Sequence, residues 1–210
     1  MDADYSVELG PTADALEIPW KDPDGRLHYV DLRGDPDAIE RNVEMIPEAG
    51  KFAALRRFLI DLNSQQSPWQ TAKCDVWEEA AEPAENFYGA CFARHCYVDL
   101  VLTGEARSLR DSLEAHERLA QRIAQMLEAD DELEATAEIV VRRCYFHRAA
   151  PSDEPHAPHD ETSDAGYCLT LYLSGFGASA DEAAERWSQA LQAAAKCLLQ
   201  LPPHDEHPKD

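Results

Sequence analysis

Positive charge is scarce in this chain. Its 210 residues carry 19 lysines and arginines against 41 aspartates and glutamates, a formal net charge of -22. A chain this acidic repels phosphate backbones and anionic lipid surfaces, which argues against nucleic-acid or membrane partners. Long apolar runs are also lacking, and none approaches the ~20 residues that span a bilayer. The N-terminus, MDADYSVELG, has neither the basic region nor the apolar stretch of a signal peptide. The six cysteines, Cys74, Cys91, Cys96, Cys144, Cys168 and Cys197, lack the spacing of a disulfide framework. They read as reduced, mostly buried small residues, and the expected compartment is the cytoplasm.

Catalytic signatures are missing as well. There is no phosphate-binding GxxxxGK[ST], no GxGxxG after a strand, no GxSxG and no HExxH. Gly175-Phe176-Gly177 stands before a helix, and two glycines there read as a turn. No cofactor is implied.

What is present is a soluble composition, 44% hydrophobic and 29% charged, on a chain long enough to bury a real core. Leu16, Ile18 and Trp20 alternate before Asp24-Gly25, and His28, Val30 and Leu32 follow, which predicts a hairpin. A helix with the stripe Phe52, Leu55, Leu59 and Leu62 comes next. Strands are predicted over 71–79 and 87–102, the second bent or bulged near Gly89. A helix capped by Ser108 then buries Leu109, Leu113, His116, Ala120, Ile123 and Leu127. Further strands span 135–147 and 166–177, and the last helix carries Ala184, Trp187, Leu191, Ala194, Leu198 and Leu201.

The order strand, strand, helix thus recurs. Sliding the chain by 71 residues lays Leu100 on Leu171, Gly104 on Gly175, Ser108 on Ser179 and Leu127 on Leu198 without a gap. The expected fold is α+β: tandem strand-strand-helix units forming a duplicated, circularly permuted ferredoxin-like antiparallel sheet, with helices on one face. The expected division is an N-terminal hairpin-plus-helix unit (1–65), the duplicated ββα-ββα sandwich (66–202), a mobile loop within it (149–166) and a polar tail (203–210). Strands 88–103 and 167–175 should lie side by side in the centre. Arg142 and Arg143 would then sit on an edge strand, where charge blunts unwanted pairing.

Two groups of residues are candidates for chemistry. Between Cys144 and Cys168 the chain holds His147, His156 and His159, and His156-x-x-His159 with Asp160 has chelating spacing. However, residues 149–166 contain three prolines, five acids and nothing apolar larger than alanine. Such a stretch cannot offset its ordering entropy, so a mobile tip without metal is expected. Cys144 and His147 also differ by an odd number of strand positions and point to opposite faces.

The second group lies on one sheet face. If Val98, Leu100 and Leu102 face the helices, then His95, Tyr97 and Asp99 face away, and Thr170 and Tyr172 join them by the repeat. Arg142 adds a scarce cation. This face is too apolar for a solvated surface and too polar for a core. It is expected to be covered, either by the N-terminal unit or by a second copy. The function expected is a non-catalytic binding or assembly protein, homo-oligomeric through a sheet face or edge. The alternative is a small-molecule sensor or enzyme with a pocket around His95, Asp99, Thr170 and Tyr172.

Overall fold

The computed structural model describes residues 1–10, 15–18, 30, 32, 39–80, 87–129, 133–147 and 163–201. Among these, six strands form one mixed open sheet, and five helices bury their apolar side chains in one cluster with one face of it. The strands are β1 (Asp2–Glu8), β2 (Leu16–Ile18), β3 (Trp69–Ala80), β4 (Phe92–Leu102), β5 (Ala135–His147) and β6 (Ser163–Gly177). The helices are α1 (Ile39–Val43), α2 (Pro47–Lys51), α3 (Ala53–Leu62), α4 (Leu113–Glu128) and α5 (Ala180–Gln200). The sheet order is β1-β5-β6-β4-β3, and β2 also pairs with β5.

The fold is α+β, but the sheet is not wholly antiparallel as expected. β3, β4, β6 and β5 run antiparallel, while β1 and β2 both lie parallel to β5. β5 is therefore not an edge strand, and the edge role expected for Arg142 and Arg143 does not hold. Arg142 lies beside Glu8 of β1. β1 escapes a pattern search because acids fill its alternate positions, at Asp2, Asp4 and Glu8, and it buries little.

The two long strands β4 and β6 are neighbours in the sheet centre. Leu100 and Leu171 share the helix-side core with Val98, Leu102, Leu169, Leu173, Ile139 and Val141. Onto this face α5 sets Trp187, Leu191, Ala194 and Leu198, and α4 sets Leu119, Ile123 and Leu127. α3 adds Leu55, Leu59 and Leu62, and Trp69 Nε1 donates to the Leu198 carbonyl at 3.0 Å, tying β3 to α5. Burying each such large side chain is worth roughly 1.5–3 kcal/mol. No described helix is long and apolar enough to cross a membrane.

Several local expectations are corrected. The helix N-cap is Ser112, not Ser108: its hydroxyl accepts from the Ala115 amide, and residues 104–109 form a 3₁₀ turn instead. The glycines of the 175–177 stretch lie inside β6, where α5 comes close. A Cβ on Gly175 would stand 2.2 Å from the Trp187 amide nitrogen. The irregularity expected near Gly89 is a 3₁₀ turn, Phe87–Gly89, with Tyr88 at φ 57°. A left-handed tyrosine costs roughly 1–2 kcal/mol. Its hydroxyl lies 2.7 Å from an Asp2 carboxylate oxygen, a contact that helps hold it there. The bulge itself is in β3, where the register slips between Thr71 and Cys74. β6 begins at Ser163, so residues 163–166 are strand rather than mobile loop. The predicted hairpin turn at Asp24-Gly25, the bulk of the acidic loop with His156, His159 and Asp160, and the tail lie outside the described residues.

Candidate functional site

Three cross-strand pairs run along the sheet face opposite the helices. His95 faces Ser174, Tyr97 faces Tyr172 and Asp99 faces Thr170. Alternation alone puts them there: each partner stands two positions from the next, so all six leave the same side of the pleat. Arg142 of β5 completes the set. The structure thus brings all six candidates, His95, Tyr97, Asp99, Thr170, Tyr172 and Arg142, onto one face.

The Asp99 end is closed. Asp99 and Thr170 are 5% and 1% exposed within a single chain, and Val140 beside them is buried too. Farther along, Ile18, Val101, Cys144 and Cys168 form a second small core, with Leu16, Ala72 and Phe146 packed against it. Burial raises the Asp99 carboxyl above its ordinary value. The Thr170 hydroxyl, donating to it at 2.5 Å, and the charges of Arg142 and Lys73 oppose that rise. Arg142 is already engaged through one of its nitrogens. Its Nη2 donates to the Tyr172 hydroxyl at 3.0 Å and meets Glu8 at 3.2 Å.

Between that closed end and a second buried patch at Ala93 and Phe176, the face is partly open. Trp77 on β3 is 42% exposed and stacks on the His95 ring, with centroids 5.2 Å apart. Tyr97 and Tyr172 are half-buried, their ring centroids 6.0 Å apart. His95 Nδ1 lies 2.7 Å from the Ser174 hydroxyl, and Nε2 lies 3.5 Å from a Glu79 oxygen, which becomes an ion pair only when the ring is protonated. Desolvation lowers the His95 pKa, with Glu79 pulling the other way.

Ser174, His95 and Glu79 have the order of a nucleophile, a base and an acid. Ser174, however, lies inside β6 and is paired on both sides, to His95 and to Thr136. Its backbone is paired in the ladder on both sides, so its own amide is not free to donate to an oxyanion. The contact orients the imidazole.

A cavity of about 680 Å³ opens beside the β3 bulge. Of the six candidate residues, Tyr97 alone lines it; among the described lining residues, Lys73, Asp75 and Glu48 carry charge. The sequence reading missed these three because only the bulge and the α2 contact bring them together. Ser174 was within reach, since it continues the alternation two positions past Tyr172. Among the described residues no group of three or more histidines, cysteines or acids is placed to hold a metal.

Fold and site together define an α+β protein with a mixed six-stranded sheet and a half-covered polar-aromatic face. No protein-family model, curated protein or solved structure matches the chain.

Proposed function

We propose that this chain is a non-catalytic binding and assembly protein that self-associates through the open stretch of the sheet face. The observation that carries the reading is the aromatic row of Trp77, His95, Tyr97 and Tyr172, left partly exposed beside an end of the same face that one chain buries by itself. Aromatic residues of this kind are enriched at the cores of protein interfaces. The face fits the role better than the edge, because β3 carries a bulge, Lys73 and the acids Asp75, Glu78 and Glu79, all devices that discourage strand pairing.

The core of the fold reads as two strand-strand-helix units, β3-β4-α4 and β5-β6-α5, in the order of a permuted ferredoxin-like sandwich. Asp99 and Thr170 support this: they stand 71 positions apart and directly opposite, where a twofold relating the units would pass between them. The six cysteines are all unpaired and four are buried, which suits a reducing compartment such as the cytoplasm.

The test is solution mass by light scattering for the wild type and Tyr172→Glu. The wild type is expected above the mass of one chain, and the variant at it with a native circular dichroism spectrum. A wild type that stays monomeric at tens of micromolar removes the assembly reading.

A further inference from the structure

We propose that the cavity at the β3 bulge binds a small organic cation, a primary ammonium group on an apolar body about the size of one ring. The inference is independent of the assembly reading, since the cavity lies beside β3 and α2 and shares only Tyr97 with the aromatic row.

The volume, about 680 Å³, falls among small-molecule sites, which run from roughly 300 to 1,000 Å³. Its walls are mostly apolar: Leu32, Ile46, Pro47 and Leu59 supply the surface that would cover a hydrocarbon body. Among the described lining residues two are carboxylates, Glu48 and Asp75, and one is an ammonium, Lys73. Burial is the main cause that pushes the Cys74 thiol up to about 12, and Glu48, Cys96, Asp75 and Asp99 add to it. An anionic ligand would add a third negative charge beside Glu48 and Asp75. A cation would reduce the repulsion, in a chain whose charge of -22 already concentrates cations around it.

The Tyr97 ring gives the second argument. Its face already receives an ammonium, Lys73 Nζ, 5.9 Å from the centroid. Such a contact is a cation–π interaction, and it strengthens as water is excluded. The bulge places Lys73 here, because the register slip between Thr71 and Cys74 re-aims the intervening residues. Lys73 is thus an internal stand-in for the ligand's ammonium, and a ligand must compete with it for the ring.

The experiment uses the full chain and three probes of one shape: benzylammonium, benzyl alcohol and benzoate. Binding is followed by calorimetry and by chemical shifts of the Tyr97 ring. Benzylammonium is expected to bind saturably, at least five-fold more tightly than benzyl alcohol, and benzoate not detectably over the same range. Glu48→Gln and Asp75→Asn should each weaken benzylammonium several-fold. Lys73→Met should strengthen it several-fold by clearing the ring. If a variant does not fold, salt on the wild type serves instead: rising ionic strength should weaken the amine and leave the alcohol unchanged. Benzoate binding as tightly as the amine, a weakened Lys73→Met, or no saturable binding by benzylammonium overturns the proposal. None of these results bears on solution mass, so the two readings fail separately.

Discussion

Thr170 donates its hydroxyl proton to Asp99 at 2.5 Å across the two central strands, and both side chains are buried. A carboxylate in such a place needs donors, since desolvation otherwise disfavours its charge. Removing the hydroxyl while keeping the shape isolates that need. Thr170→Val is expected to lose about 1.5–3 kcal/mol, the range for a hydrogen bond to a charged group. Urea denaturation measures it. In the Asp99→Asn background the same change should cost less than half as much, and equal losses would show that the two residues are not coupled.

Asp99 also sets a pH dependence. Burial raises its folded pKa above the unfolded value of 3.8. The folded state then holds its proton longer than the unfolded chain, so this group's contribution to stability falls as pH rises through the folded pKa. Asp99→Asn cannot ionise. It should therefore be more stable than the wild type near neutral pH, with the advantage shrinking as the pH falls toward 3.8. Parallel stability curves for the two proteins across that interval would refute the assignment.

Two histidines act in the opposite sense. His116 is 0% exposed and His95 half-buried, and burial lowers both pKa values below 6.5. The unfolded chain binds these protons first. Stability from the two sites is present above 6.5 and is lost as pH falls below it toward the folded values. His116→Asn and His95→Gln should each flatten the slope of unfolding free energy against pH in that window. Native-like variants with the wild-type slope would remove these groups as its source.

Gly175 has no room for a side chain. A Cβ would lie 2.2 Å from the Trp187 amide nitrogen and 2.6 Å from the Ala183 carbonyl oxygen. These are backbone atoms of α5 and cannot rotate aside. Gly175→Ala is expected to cost ~3 kcal/mol or more, at the top of the range for overpacking. Thermal unfolding reads the effect, and a melting temperature within a degree or two of wild type would show that α5 can back away.

The capping residue of α4 separates two readings of one stretch. Ser112 accepts from the Ala115 amide, while the Ser108 hydroxyl only donates to the Glu105 carbonyl. Ser112→Ala should cost about 1 kcal/mol and Ser108→Ala little. The reverse ranking would move the start of the helix.

Some of this was legible from periodicity. Leu119, Ile123 and Leu127 recur at helical spacing, and Val98, Leu100 and Leu102 alternate, because one buried face imposes its period on the chain. The same alternation gathered His95, Tyr97 and Asp99 on the far side. Ser108 misled because a serine before an apolar stripe looks the same whether the first turn is 3₁₀ or α. β1 was invisible because an edge strand buries little and is chosen by its hydrogen bonds to β5 rather than by apolar alternation.

By itself, the sequence determined the fold class, the helix-side core and the neighbouring of the two long strands, since each follows from burying an amphipathic element against its nearest complement. The tertiary structure decided what depends on contacts between distant segments. It made the sheet mixed by laying β1 and β2 along β5, and it gave Arg142 to Glu8 and Tyr172. It closed the face at Asp99 and left it open at Trp77. It also brought Lys73 and Asp75 beside Glu48, through a bulge whose only trace in the sequence is two residues that the register steps over.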